Sequence, residues 1–444
     1  MMLDLMWAGL GRSGLALAGF AANLLLTRLM PPREVGLYFV VVSLVLIARP
    51  FASLSLRQPT IAAIAAANAL GDRARAAAVA RAALRMATWS GLGVAALCLA
   101  MWALLNGLGL NGGLDGADSG LLIALWIAVA GIQNQLIGTL QGLEDIRLAA
   151  LFDFALAKIF AVVALGLIWA WRGQATLDLV LAVTIASELA STALAWMFVR
   201  RGLRALGPSA APVSIAALWR DAWPFLLLNL TGIAAQADIV VLGLFRPAEQ
   251  VALYGTASRV SGLVSLLGTI VTMPITPATA RLHAQGRRGE LQELLQGAIT
   301  GPTVVAAIMA VLWMVAGGFV LETLFGVSYR DGALVLVILG VGQWLNLSFG
   351  LCMETLAMSG QQRVATTIAM IACVIKVAAI LAVAYPFGPV GVATASVAVS
   401  TGAKLAAWWV TRRRLGVYTH ASPGMVGKAC RQAVALANAG LLRR

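Results

Sequence analysis

The segment Leu29–Tyr38 (LMPPREVGLY) returns later in the chain as Leu244–Tyr254 (LFRPAEQVALY), with Pro31, Val35, Leu37 and Tyr38 falling on Pro247, Val251, Leu253 and Tyr254 at an offset of 216. The same offset carries Thr139, Leu140, Arg147 and Ala149 onto Thr355, Leu356, Arg363 and Ala365. Two matches in one register, far apart along each half, read as two copies of a unit of roughly 200 residues, and a period on that scale has to be recognised before any helix is assigned. The closes of the copies also echo, Ala195-Trp196 and Arg200-Arg201 against Ala407-Trp408 and Arg412-Arg413.

What such a unit can fold into follows from its apolar runs. They recur along all 444 residues, at 61% hydrophobic and 11% charged, whereas about a quarter of the residues of a soluble domain carry charge. Runs of about 20 residues match a hydrocarbon slab of about 30 Å, and every span must satisfy its own backbone there, so helices are expected. The fold class expected is all-α, a polytopic membrane protein. The opening MMLDLM lacks a basic leader, so the first helix is expected to be its own targeting signal. Cys98, Cys352, Cys373 and Cys430 show no CxxC spacing and read as packing residues; no metal and no cofactor is expected.

Twelve helices are expected, six in each copy. In the first copy they run over about 7–28, 35–56, 86–105, 121–140, 148–171 and 177–199, with a polar connector at 57–85. In the second, helix 7 carries Asp238, helix 8 carries Arg259 and ends at Pro277, a charged connector covers 281–293, and helices 9 to 12 cover about 298–320, 333–358, 365–386 and 389–410. The domain boundaries expected are 1–203 for the first lobe, 204–217 for a linker, 218–415 for the second lobe and 416–444 for a tail, from which 422–444 reads as an interfacial helix or as unstructured chain. Six helices return the chain to the side on which it began, so the repeats are parallel. Twenty-one lysines and arginines then fall on one set of connectors and a handful on the other, which places both termini in the cytoplasm of a plasma (inner) membrane protein. This bias supplies most of the +14 charge, and no nucleic-acid partner is expected, because no aromatic residues interleave the arginines.

Ionisable residues inside spans cost at least about 2.5 kcal/mol each and usually face a cavity or one another. Here Arg12, Arg49, Lys158, Arg259, Lys376 and Lys404 stand against Asp153, Glu188, Asp238 and Glu354. Three of the chain's four lysines lie in spans while the connectors use arginine. Arg12, Arg49, Lys158, Arg259 and Lys376 sit at successive depths, as a path for an anionic headgroup requires, and both cation types bind phosphate oxygens. Other readings stay open: Arg12, Arg49 and Lys404 can snorkel, Asp238 and Arg259 can pair to brace their hairpin, Glu188 can pair with a lysine, and Glu354 reads as solvated. Asp238 and Glu188 are the candidates for a coupling-ion site. Gln133-Asn134-Gln135, Gln343 and Asn346 suit either sugar contacts or interhelical hydrogen bonds. The sequence shows no HExxH, GxSxG or GxxxxGK[ST], so no catalytic residues and no enzyme activity are expected.

The motif P-x-x-E-V-G-L-Y after helix 1, with Trp223-Pro224-Phe225, Asp238, Leu242-Gly243, Val251–Tyr254 and Ala257-Ser258-Arg259, resembles the polysaccharide-export and oligosaccharide flippases of the multidrug/oligolipid/polysaccharide exporter superfamily. The resemblance implies a V-shaped transporter whose two six-helix lobes surround a central cavity. It implies export of an undecaprenyl-diphosphate-linked oligosaccharide to the outer leaflet, with a glycan polymerase and glycosyltransferases as pathway partners. Lipid II flippases of the superfamily are similar in placing arginines on helices 1, 2 and 8, here Arg12, Arg49 and Arg259. The two additional C-terminal helices typical of those proteins are not expected among the twelve read here, which favours O-antigen or exopolysaccharide units as the expected cargo. The alternatives are a cation-coupled multidrug antiporter, a lipid II flippase of the same fold, and an integral-membrane polymerase or scaffold.

Overall fold

The computed structural model describes residues 18–107, 117–207, 213–422 and 424. Arg12, Cys430 and the expected tail helix lie outside the described residues. A helix over 18–29, α1, comes first. It is followed by α2 (Pro32–Ala52), α3 (Arg57–Ala69), α4 (Arg73–Gly107), α5 (Ala117–Gly142), α6 (Ile146–Ala150), α7 (Leu156–Arg172) and α8 (Leu177–Ala205). Then come α9 (Ile215–Phe245), α10 (Ala248–Ala284), α11 (Arg288–Phe325), α12 (Ala333–Ser348), α13 (Cys352–Met358) and α14 (Gln362–Leu415). A π turn, Leu151–Ala155, joins α6 to α7.

The helices begin and end where local chemistry dictates. Pro31 is extended (φ −65°, ψ 156°) and Pro32 opens α2, where a missing N–H costs nothing. The 54 residues of α14 would reach about 80 Å, far beyond one bilayer core of about 30 Å. Gly388 (φ 56°, ψ −144°) between Pro386 and Pro389 breaks it into two arms at the junction expected between helices 11 and 12. Eight helices among the described residues are long and apolar enough to cross a membrane. The molecule is an all-α, multi-pass membrane protein.

Several boundaries differ from expectation. The polar connector 57–85 is mostly helix: Arg57–Ala69 forms α3, and α4 begins at Arg73. Alanine-rich sequence has the highest helix propensity, so a drop in hydropathy there did not mean a loss of helix. The charged connector 281–293 likewise shrinks to a short turn between α10 and α11. The expected helix 333–358 is two pieces, α12 and α13, broken where Leu351 leaves helical geometry (φ −86°, ψ 43°).

Packing groups the chain into two compact units, Met1–Ala252 and Leu253–Arg444. Helix α9 and the start of α10 belong by sequence to the second copy and by contact to the first unit. Within that unit α5 is the most enclosed span, packed by α2, α3, α4 and α8, while α2 also lies against α9. The two copies of the repeated turn motif touch there: a Cβ on Gly36 would meet the carbonyl oxygen of Ala248 at 1.8 Å, so only glycine permits the approach. In the second unit α12 packs on α11 and α14, and α13 packs on α14. The chain after α14 folds back along them, Thr419 Oγ1 donating to the Phe349 carbonyl (2.8 Å), Ala421 N to Ser348 (3.0 Å) and Trp408 Nε1 to His420 Nδ1 (3.2 Å).

Candidate functional site

Pro50 lies in the last turn of α2, and the chain then reverses through Leu54 and Ser55, both left-handed (φ 49° and 51°). For side chains other than glycine this conformation costs of order 1 kcal/mol per residue and persists only where neighbours impose it. Here Ser55 N donates to the Pro50 carbonyl (2.8 Å), Asn229 Nδ2 of α9 donates to Ser55 Oγ (3.0 Å), and Leu56 is fully buried. The elbow delivers Arg57 at the start of α3 into the side of α5. Gly138 of α5 makes room for it, since a Cβ there would stand 2.9 Å from Arg57 Cγ and 3.2 Å from Arg57 Cα.

Arg57 grips Asp153 with both arms of its guanidinium, Nη1 to Oδ1 at 3.2 Å and Nη2 to Oδ2 at 2.6 Å. Asp153 sits at the centre of the π turn, a local widening often found at functional sites, and its side chain is 8% exposed. Arg49 of α2 approaches the same carboxylate (3.7 Å), and its Nη2 donates to Asn134 Oδ1 (3.3 Å). Asn134 also accepts from Arg57 Nη1 (3.4 Å) and donates to Ser53 Oγ (3.0 Å), while Arg57 Nε donates to Gln141 Oε1 (3.3 Å). Arg49 Nε is buried and has no hydrogen-bond partner among the described residues. Arg49, Arg57, Asn134 and Asp153, with Gln58 and Asn229, line a cavity of about 340 Å³.

Two further charges act on this cluster. Glu188 of α8 interacts electrostatically with both Arg49 and Lys158. Lys158, one turn beyond Asp153 on α7, places Nζ 3.6 Å from where a Cβ on Gly19 of α1 would be. Three cations thus face two carboxylates, and a buried guanidinium N–H with no acceptor costs about 1–3 kcal/mol unless something fills its place. The arrangement suits an anion with several oxygens, held by one guanidinium while Asp153 retains the other.

The structure therefore brings Arg49, Lys158 and Glu188 into one neighbourhood. Asp238 is buried on α9 of the same unit, 7% exposed. Arg259 on α10 and Lys376 on α14 belong to the second unit and are half-buried. Glu354, expected to be solvated, is half-buried on α13, with Oε2 shielded and without a hydrogen-bond partner among the described residues. Of the polar triplet, Gln133 donates to Phe152 O (3.1 Å) and Ser191 Oγ (3.2 Å), and Gln135 to Thr60 Oγ1 (2.9 Å). Those two are interhelical ties, while Asn134 faces the cavity. Arg57 and Asn229 are site residues that sequence reasoning did not single out, and Asn134 was named only within its polar triplet.

Residues 4–283 match the family model described as "Polysaccharide biosynthesis protein". No protein in the curated set matches the chain. Among solved structures, an inward-facing multidrug resistance MATE family transporter of the MOP superfamily superposes with a TM-score of 0.73 at 17% identity, over 90% of this chain and 94% of that one. The lipid II flippase MurJ in an inward closed conformation gives 0.69 at 11% identity, over 92% and 87%. A MOP superfamily transporter from Pyrococcus furiosus, described as having a binding pocket of reversed polarity, gives 0.59 at 18% identity, over 93% and 94%. At these identities the likeness is one of fold.

Proposed function

Because the chain belongs to the polysaccharide biosynthesis protein family, we propose that it flips an undecaprenyl-diphosphate-linked oligosaccharide unit from the cytoplasmic to the outer leaflet of the inner membrane, for O-antigen or exopolysaccharide assembly. The observation that carries this reading is the cavity at Arg49, Arg57, Asp153 and Asn134, a cationic and incompletely paired site inside a multi-pass membrane unit. The diphosphate takes the open donors of Arg49 and the charge of Lys158. Arg12, Arg259 and Lys376 extend the path, and the two lobes alternate access around it. Asp153 keeps Arg57 occupied and competes for Arg49, so that cargo is held without being trapped.

Asp238 and Glu188 are the coupling-ion candidates in this reading, and both termini face the cytoplasm. A glycan polymerase and glycosyltransferases act on either side of the step. The test is export in cells: Arg49→Gln and the double variant Lys158→Gln/Lys376→Gln abolish surface glycan while protein stays at wild-type level in the membrane. Full export by both variants overturns the headgroup path. The MATE-like fold supports a second reading, a cation-coupled multidrug antiporter, which predicts instead that the same variants lose drug resistance. An excess of cations at the site disfavours organic cations as cargo.

A further inference from the structure

A second cavity, of about 590 Å³, lies in the first unit where the α1–α2 turn meets the α7–α8 connector, stitched by Ala175 N donating to the Leu29 carbonyl (2.9 Å). The end of α1, the first turn of α2 and the end of α7 hold three basic residues, Arg28, Arg33 and Arg172. Two of them, Arg28 and Arg172, are far apart in sequence and line this one cavity. Exposed arginines at a membrane boundary reach for headgroup phosphates in any case. What makes this a built site is the third charge, Glu34, whose Oε2 is buried at the cavity wall with no hydrogen-bond partner among the described residues.

The ordinary role of a glutamate at this place is excluded by the chain itself. Glu34 stands three residues after the N-cap of α2, where a carboxylate normally reaches back to the N-cap N–H, but that residue is Pro31 and has none. The repeat repeats the defect in neutral form. Gln250 stands three residues after Pro247, and its Oε1 is also buried with no hydrogen-bond partner among the described residues. The fold therefore accepts an amide at this register, since α10 carries its first-turn acid one residue earlier, at Glu249, whereas in α2 that acid is Glu34, at the cavity wall.

We propose that this cavity binds the headgroup of a zwitterionic aminophospholipid, Arg28 and Arg172 taking the phosphate and Glu34 taking the ammonium. Three N–H donors on a primary ammonium can reach a carboxylate oxygen at the cavity wall. A trimethylammonium has no N–H, and a glycerol headgroup has no cation. The ligand is a resident lipid of the leaflet at this end of the unit, separate from the flipped cargo. The proposal stands apart from the flippase reading, because it concerns another cavity and is tested without transport.

The purified full-length protein in detergent is titrated with dihexanoyl phosphatidylethanolamine, phosphatidylcholine and phosphatidylglycerol, inorganic phosphate and farnesyl diphosphate, read by thermal shift and native mass spectrometry. Phosphatidylethanolamine binds about tenfold more tightly than the other lipids, the scale of one charge-assisted hydrogen bond. Glu34→Gln erases that preference while leaving the lipid-free melting temperature near wild type. Arg28→Gln/Arg172→Gln loses binding of all phosphate ligands at this site, and Leu179→Trp, which fills the cavity from α8, excludes the lipid even if the charge variants fold poorly. Equal binding of the choline or glycerol lipid, an unchanged preference in Glu34→Gln, or binding undiminished by Leu179→Trp overturns the proposal. Farnesyl diphosphate bound as tightly as the ethanolamine lipid and lost in Arg28→Gln/Arg172→Gln assigns the cavity to cargo and overturns it as well.

Discussion

Arg57 and Asp153 form the tightest charged contact of the site, and their pairing sets what either can tolerate. Removing one member of a buried ion pair strands the other and costs about 3–5 kcal/mol, whereas removing both avoids stranding a charge. Arg57→Ala should therefore lower the melting temperature of the purified protein more than Arg57→Ala/Asp153→Ala does. Asp153→Asn removes the internal competitor for both guanidiniums without changing shape. It should tighten binding of a soluble prenyl diphosphate, measured by titration calorimetry, by about tenfold, while slowing export of glycan, since release loses the group that recaptures Arg49. Tighter binding with faster export would refute the competition. Arg49, Lys158 and Glu188 were legible in the sequence because a charge within an apolar run is conspicuous. Arg57 was not, since hydropathy alone closes the second span at Leu56, and nothing in the letters Leu54-Ser55 announces two left-handed residues that turn the next arginine back inside.

At the scale of elements, α5 is the wall against which the elbow and α3 are fitted. Gly131, Gly138 and Gly142 face Ala52, Arg57 and Ile64 in turn, with a would-be Cβ at 2.7, 2.9 and 2.9 Å from the nearest atom. One seam of glycines thus fixes the close of α2, the first residue of α3 and its second turn. Gly138→Val should push α3 away from α5 through contact with backbone as well as side chain, costing about 1–3 kcal/mol and parting Arg57 from Asp153. The check is thermal unfolding together with diphosphate affinity: a drop in stability accompanied by weakened binding is expected, and unchanged binding would show that the elbow holds without the seam. Neither the helix over Arg57–Ala69 nor its packing was read from the sequence, because the fall in hydropathy there marks a connector as readily as an alanine-rich helix. Alternation of glycine with large residues on α5 shows which face is close-packed only once its neighbour is known, and α3 had been read as connector. The break at Leu351 was hidden for the opposite reason, because the apolar run continues unbroken through it.

For the whole molecule the question of scale is orientation, which arginine counting predicts and helix ends can organise. In the first unit Arg81, near the start of α4, donates from Nη2 to the Gly207 carbonyl (2.8 Å) and the Leu203 carbonyl (3.4 Å), so two of the most basic connectors meet at one end. The α1–α2 and α7–α8 turns meet at the other. In the second unit Arg414, at the close of α14, donates to Gln361 Oε1 (2.7 Å) just before its start, which again puts two basic segments together. The all-helical, multi-pass class was legible at sequence level, because it rests on composition; which helix packs with which unit was not, since α9 crosses from its own copy to the other by contact alone. If positive charge sets orientation, the end bearing Arg81 and Gly207 is cytoplasmic. Single cysteines at Gly207 and at Gly112, in a background lacking the four native cysteines, should then react oppositely with a membrane-impermeant maleimide. In intact spheroplasts Gly112→Cys labels and Gly207→Cys does not, and lysis restores labelling at Gly207. Labelling of Gly207→Cys before lysis would reverse the orientation and with it the direction in which the cationic path is loaded.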